Sequence, residues 1–228
     1  MSPEQPRSDT VNKGARIAVA FPSRLEAPPH ETTSQQALAR KLAQLLKVEF
    51  VEHFQPQPLP EPGSVYYVPA RTLVRNATQG GAAGGGYLES IRSYDDLYGG
   101  IVPHPFVATK AITHPVLHVD SPAPQGWSHT FSQETSAAVL RGITVFSVKD
   151  ARLAGLRLLS LGPVRIKPVR ASGGRGQILV FNPRQFDAEL SEQDEREISE
   201  HGLVLEEHLA DVKTYSVGLV RAGGIDIS

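Results

Sequence analysis

The chain has 228 residues, a formal net charge of −1 at pH 7 and a hydrophobic content of 40%. This length suits one large domain or two small ones, and the balanced charge predicts no general attraction to nucleic acid or to an anionic membrane. Because the chain contains no cysteine, disulfides, zinc–thiolate sites and thiol catalysis are excluded. Its apolar runs are far shorter than the roughly 20 residues that span a bilayer, so we expect a soluble, cytoplasmic protein.

The residues up to about position 145 predict a domain in which strands and helices are mixed. Residues 1–13 combine proline, serine and charge, which is typical of a disordered leader. After them, leucines at helical spacing predict a long helix that a capping box of Thr33 and Gln36 would begin. The order of predicted strands and helices indicates an α/β domain over 14–145 with a partly parallel sheet. Its predicted strands are 16–21, 48–54 and 64–70, and its predicted helices are 33–47 and 90–99.

Two stretches of this domain contain residue types that occur in ligand sites. Glycines are dense between Thr78 and Leu88, but no strand precedes them and no Lys-Ser/Thr follows, which favours a surface loop over a nucleotide loop. His104, His114 and His118 lack any standard metal spacing, so hydrogen-bonded structural histidines are favoured over a metal site. The role of the segment 103–118 stays open.

The second half of the chain centres on the sequence "VRIKPVRASGGRGQILVF", residues 164–181. A phosphate-binding loop of the P-loop or dinucleotide type leads from a strand into a helix, whereas in this chain an apolar, β-branched run follows the glycines. The stretch therefore predicts a hairpin with a glycine-rich tip. Around it we predict helices over 132–142, 149–162 and 187–202 and strands over 143–146, 203–209 and 214–220.

Charge is distributed unevenly along this half. Seven cations and no acidic residue lie between Asp150 and Asp187, whereas ten acidic residues and one arginine lie from Asp187 to Asp211. A dense field of one sign favours a polyanionic ligand. Lys167 lies mid-strand between Ile166 and Pro168, which predicts that its ammonium faces a cleft; the alternative is a solvent-facing lysine on an edge strand.

The order of strand lysine, glycine-rich hairpin, strand, helix and "LVLEEHL" (203–209) resembles the ATP-grasp superfamily. The segment "RIKPVRASGGRGQ" is similar to the equivalent segment of biotin-carboxylase-like members, and the wider sequence resembles an uncharacterised bacterial family of unknown function with that fold. This resemblance implies an α/β fold in two parts. A Rossmann-like pre-ATP-grasp domain (14–145) would be followed by an α+β ATP-grasp lid subdomain and the start of the next (146–228).

The resemblance also implies an ATP site, although Glu206 and Glu207 could instead be the exposed end of a strand and Ser172 a turn residue. The family's ribose-binding glutamate is replaced in this chain by Lys213, with Asp211 nearby. The implied ligands are Lys167 and either Lys149 or Arg152 for the phosphates; Ser172, Gly173, Gly174, Arg175 and Gly176 for the covering loop; and Glu206 with the backbone of Glu207, His208 and Leu209 for the adenine.

ATP-grasp enzymes need a further subdomain that supplies the Mg²⁺ ligands, and the resemblance implies that this chain stops before it. The intact family would activate a carboxylate with ATP and join it to an amine, so we expect this chain to bind ATP weakly, to lack the metal ligands and to have no ligase activity. The alternative is a non-catalytic interaction module. Its basic residues would bind an acidic partner, a second copy or the missing C-terminal half.

Overall fold

A computed structural model of the chain describes residues 17–23, 28–75, 85–171, 175–213, 215, 217–222 and 225–227. The architecture is mixed α/β, with eleven strands and five α-helices in these ranges, which confirms the predicted class. None of the described helices is both long and apolar enough to cross a membrane. The predictions for the leader 1–13 and for most of the glycine-rich stretch 78–88 lie outside the described residues.

The strands are short, and the helices vary widely in length. The strands are β1 (Ile17–Val19), β2 (Glu49–Val51), β3 (Val65–Tyr67), β4 (Leu73–Val74), β5 (Ile101–Val102), β6 (Gly142–Val145), β7 (Val164–Pro168), β8 (Ile178–Val180), β9 (Leu203–Glu207), β10 (Val220–Ala222) and β11 (Ile225–Ile227). The helices are α1 (Pro29–Leu46), α2 (His129–Glu134), α3 (Val148–Leu159), α4 (Pro183–Ser191) and α5 (Glu195–His201).

The chain divides into two compact units, the first formed by Met1–Val102 with Tyr215–Ser228 and the second by Pro103–Thr214. The domain boundary predicted after residue 145 is a statement about independent folding, which these compact units do not test. It stays a prediction. In the first unit, β2, β1 and β3 form a parallel sheet in that order. Helix α1 packs on this sheet through Ala39, Leu42 and Ala43.

Helix α1 begins earlier than its sequence predicts. It starts at Pro29, whose fixed φ angle suits a first helical position. The predicted capping box is wrong, because Thr33 lies inside the helix and its hydroxyl donates to the Pro29 carbonyl oxygen over 2.9 Å. The helix ends at Leu46, and the residue that caps it, Lys47, adopts the left-handed conformation with φ 56°.

The second unit is built on an antiparallel sheet in the order β6-β9-β7-β8. One face of the sheet is apolar and packs against α3, α4 and α5, because every second residue of each strand is aliphatic. The α3–α4 contact is close at Gly155, where an added Cβ would overlap the ring of Phe186. The hairpin predicted for 164–181 corresponds to the paired strands β7 and β8.

Four predicted elements differ from the structure. The helix predicted over 132–142 corresponds in part to α2, which ends at Glu134. A 3-10 turn (Ser136–Ala138) and then β6 follow it. The acidic helix over 187–202 is split into α4 and α5, because the Asp194 side chain accepts hydrogen bonds from the amides of Arg196 and Glu197 and so begins a new helix. Of the described residues in the strand predicted over 214–220, which are 215 and 217–220, only Val220 is in a strand. The helix over 90–99 reduces to a 3-10 turn at Tyr94–Asp96.

Candidate functional site: the polar face of the second sheet

The face of the second sheet opposite the helices presents charged side chains. In the β7–β9 register, Arg165 pairs with Glu206 and Lys167 pairs with Val204. Directly opposed residues of antiparallel strands point to the same face, and so do residues two apart along one strand. Arg165, Lys167 and Glu206 therefore share one face, which we call the polar face.

The segment that follows Pro103 covers part of this face. Its residues Phe106, Ala111 and Val116 form an apolar cluster with Phe146, Val169 and Val204 of the sheet side. The cover leaves the charged side chains in a setting that is largely shielded from water. The side chain of Lys167 is 19% exposed and that of Glu206 is 9% exposed.

Glu206 is held at both carboxylate oxygens. The Lys167 ammonium donates to Oε1, and the His114 ring nitrogen Nε2 lies 2.9 Å from Oε2 and donates to it. The His114 side chain is 1% exposed. The ring fits because Gly142 lies opposite Glu206 on β6 and has no side chain: a Cβ there would lie 2.6 Å from His114 Nε2.

The electrostatics of the polar face favour an ionised Glu206. Burial alone would raise the pKa of this carboxyl, but the hydrogen bonds from His114 and Lys167, with the Lys167 charge, hold it below its ordinary value. Lys110, in a 3-10 turn (Lys110–Thr113), donates to the Pro168 carbonyl oxygen over 3.1 Å. Burial and then the neighbouring charge of Lys167 lower the pKa of Lys110, against the opposing effect of Glu206. Lys167 is thus in contact with the Glu206 carboxylate, and Lys110 interacts with the charges of both.

A further contact extends the polar face past Glu206. Arg165 donates to Nδ1 of His208 over 3.0 Å, and both side chains are partly buried. Because Nδ1 accepts this bond, the His208 ring carries its proton on Nε2. The polar face therefore carries a second pair of polar side chains beside the Lys167–Glu206 pair.

The structure brings some of the predicted site residues together and not others. Lys167 and Glu206 are in direct contact, and Gly176 forms a turn with φ 66° beyond β7. Lys149 is exposed on α3, the helix that packs on the opposite face, and Arg152 pairs with Asp187 over 2.9 Å. Ser172, Gly173 and Gly174 lie outside the described residues, and Arg175 is exposed at the tip.

The predicted adenine segment is ordered by backbone contacts. The amide of Glu207 donates to the Arg141 carbonyl oxygen over 2.9 Å, and that of His208 donates to the Pro163 carbonyl oxygen over 3.0 Å. The Glu207 carboxylate accepts from the Arg141 amide over 2.9 Å, and Leu209 is exposed. The predicted role of this segment in holding adenine stays a prediction.

Sequence reasoning missed Lys110 as a member of the site, and it favoured a structural role for His114. Lys110 is 58 residues from its hydrogen-bond partner Pro168, and His114 is 92 residues from Glu206. No local spacing indicates either contact. Within the described ranges, no group of three or more histidine, aspartate or glutamate side chains could hold a metal ion.

The fold and the site define a mixed α/β protein with a shielded, cation-rich sheet face. The chain belongs to the family described as "Protein of unknown function (DUF3182)", whose model matches residues 18–228. No curated protein and no solved structure shows a significant match to the chain.

The assignment to the ATP-grasp superfamily, with biotin-carboxylase-like members, is therefore wrong. The family that matches nearly the whole chain is one of unknown function, and no relative or structural neighbour supports the superfamily. The motifs behind the resemblance are short, and a strand lysine followed by a glycine-rich hairpin can arise in any antiparallel sheet. The truncation inferred from that resemblance loses its basis.

Proposed function

We propose that the polar face binds a nucleotide, and specifically ATP, with Lys167 against the phosphates and Glu206 against the amino group of the base. The observation that carries the proposal is the pair itself: an ammonium and a carboxylate in contact on neighbouring strands, both largely shielded from water. Taking two charges out of water is costly, and replacing such a pair by apolar residues is often neutral or stabilising. A function in ligand binding would account for the presence of this shielded ion pair.

The phosphate end of the proposed ligand is supported by the charge balance. Lys167 contacts Glu206, and Lys110 interacts with the charges of both. Arg165 lies opposite Glu206 in the β7–β9 register, so the polar face carries more positive than negative charge. Partial burial strengthens the attraction between these cations and a phosphate, because the surrounding dielectric is lower than that of water. A polyphosphate would balance the surplus of positive charge.

The base end is supported by the hydrogen-bonding chemistry of Glu206. An ionised carboxylate only accepts hydrogen bonds, so the ligand group that faces it must donate. The exocyclic amino group of adenine is such a donor.

For the first unit we propose a Rossmann-like arrangement. The parallel order β2-β1-β3 with α1 between the first two strands supports it. A cytoplasmic location, where ATP is abundant, is part of the same proposal. Ligase activity was an expectation of the superfamily resemblance alone, and it is not carried forward.

Isothermal titration with ATP and Mg²⁺ tests the proposal. Loss of a charge-assisted hydrogen bond costs about 1.5–3 kcal/mol, so Lys167→Ala is expected to weaken binding by roughly ten- to a hundredfold. Arg157→Ala is the matched control, because Arg157 is an exposed cation of α3 on the opposite face. Equal heats from wild type and Lys167→Ala, with both folded by circular dichroism, would contradict the proposal.

The alternative function, a module that binds an acidic partner through its basic residues, has less support. Arg152 and Arg170 pair with Asp187 and Glu197 within the same unit, over 2.9 and 3.3 Å, so part of the basic charge is already neutralised. Self-association through such charges would weaken as salt screens them. Size-exclusion chromatography at rising salt separates this alternative from the nucleotide proposal.

A further inference from the structure

We infer that Glu206 determines specificity by competing with the ligand's phosphates for Lys167, so that the polar face rejects polyphosphates that bring no amino group to replace the lysine. This inference rests on the proposed function. It adds a role for the ion pair: Glu206 selects against the wrong ligand as well as contacting the right one.

The competition follows from the contact between the two side chains. The Lys167 ammonium donates to Glu206 Oε1, so a phosphate that meets the same ammonium must either replace the carboxylate or lie next to it. Two anions within about 5 Å of each other repel, and the repulsion grows as the surroundings become less polar. Since both side chains are largely shielded, Glu206 opposes phosphate binding at Lys167.

His114 prevents Glu206 from escaping into water. The ring donates from Nε2 to Glu206 Oε2 over 2.9 Å and is almost completely buried, so it holds the carboxylate on the polar face. Gly142 leaves the space that this ring fills. When a phosphate takes Lys167, the carboxylate therefore stays in place and loses one of its two partners. A buried charge without sufficient partners is unfavourable.

Among the described residues near Glu206, no other side chain on this face supplies a negative charge that would oppose a phosphate at Lys167. Strand β6 contributes the uncharged Gly142 and Thr144 opposite β9, and α3 packs on the other face. Among the described residues, the charged or titratable side chains that contact Glu206 on this face are Lys167 and His114. Those that lie further along the face are Lys110, Arg165 and His208. All of them are basic, so Glu206 supplies the negative charge that a phosphate must overcome.

A base amino group would resolve the conflict. It can donate to Glu206 in place of Lys167, which frees the ammonium for the phosphates and keeps the carboxylate paired. Tripolyphosphate offers no such donor. Inosine triphosphate presents a carbonyl oxygen at the same place on the ring, and two acceptors facing each other lose a hydrogen bond. The wild-type protein should therefore bind ATP more tightly than either.

The experiment compares ATP, inosine triphosphate and tripolyphosphate on wild type and on Glu206→Gln by isothermal titration. The substitution keeps the shape and an acceptor for His114, removes the charge and adds a donor. We expect tripolyphosphate to bind at least about tenfold more tightly to Glu206→Gln, which corresponds to about 1.4 kcal/mol, and the preference for ATP over inosine triphosphate to shrink or invert. A purely structural role would weaken all three ligands instead.

Glu200→Gln is the matched control. Glu200 pairs with Arg196 over 2.7 Å as Glu206 pairs with Lys167, but it is exposed on α5, so its loss should leave all three affinities unchanged. If Glu206→Gln does not fold, the affinities of the wild-type protein for the three ligands still test the inference. Equal affinity for ATP and inosine triphosphate, or for ATP and tripolyphosphate, would overturn the inference.

The outcomes separate this inference from the proposed function. Binding of ATP that depends on Lys167, together with tripolyphosphate affinities that are the same in wild type and Glu206→Gln, would overturn the inference and leave the proposed function standing. Wild-type protein that binds none of the three ligands would overturn the proposed function, and the inference with it.

Discussion

The two faces of the second sheet are made by the same four strands, yet they are built on opposite principles. The face toward α3, α4 and α5 buries aliphatic side chains such as Ile166 and Leu205, which gain free energy simply by leaving water. The polar face places Lys167, Glu206 and His114 where water is largely excluded, and each of them loses hydration. Alternation along a strand thus lets one face of a sheet form an apolar core while the other carries charged side chains.

The largest effect is expected on the apolar face. Phe186 is fully buried and its ring lies against Gly155, so Phe186→Ala removes the ring and leaves a cavity that the helices cannot easily close. We expect a loss of about 3–5 kcal/mol in the free energy of unfolding. Urea unfolding measures it, and Phe181→Ala, at a residue that is 60% exposed, is the control with an expected change within about 0.5 kcal/mol. Similar losses at both positions would break the comparison.

A smaller effect is expected at the point where the polar face is most crowded. Gly142→Ala would place a Cβ 2.6 Å from His114 Nε2, which forces the ring away from Glu206. We expect a cost of about 1–3 kcal/mol from the overpacking. Gly100→Ala is the matched control, because an added Cβ there has no neighbour within 4 Å among the described residues. A tolerated Gly142→Ala would mean that the His114–Glu206 contact is loose.

The apolar face could be predicted from the sequence better than the polar face. The physical reason is that the contacts of the polar face join residues that are far apart along the chain. Strands β7 and β8 follow from local alternation and from the glycines between them. The Asp194 cap that separates α4 from α5 was hidden in an acidic run that a continuous helix would also tolerate. The strand positions of Lys167 and Glu206 could be predicted from the local sequence, but the contact between the two side chains could not.

The contacts of His114 and Lys110 on the polar face could not be predicted. Both residues come from a segment of turns whose position over the sheet is set by the apolar contacts of Phe106, Ala111 and Val116. Such packing depends on the whole fold, and composition or spacing does not reveal it. The cover and the polar groups that it contributes therefore had to be seen in three dimensions.

The pH dependence of stability should also differ between the faces. Because the pKa of Glu206 is lower in the folded than in the unfolded state, the carboxylate contributes stability above the ordinary glutamate pKa of about 4.3. That contribution is lost as the pH falls through the lowered folded value. Urea unfolding between pH 3 and pH 7 should therefore show a steeper loss toward acid in wild type than in Glu206→Gln. Equal slopes would contradict the assignment of an ionised, partnered Glu206.

The smallest effect is expected for an ion pair at the surface. Arg152 and Asp187 are within 2.9 Å, but both side chains are about half exposed, so water and salt screen their attraction. Arg152→Ala should change the free energy of unfolding by less than about 1 kcal/mol and leave ATP binding unchanged if Arg152 has no part in the site. A marked loss of ATP binding would instead support its predicted role as a phosphate-binding cation.

We propose that the Lys167–Glu206 pair serves ligand binding rather than stability, and the double variant Lys167→Met/Glu206→Gln separates these two roles. It removes both charges and keeps an acceptor for His114, so the free energy of unfolding should stay within about 1 kcal/mol of wild type. ATP titrated into the same preparation should bind at least about a hundredfold more weakly. A double variant that binds ATP as wild type does, or that loses several kcal/mol of stability, would contradict the account.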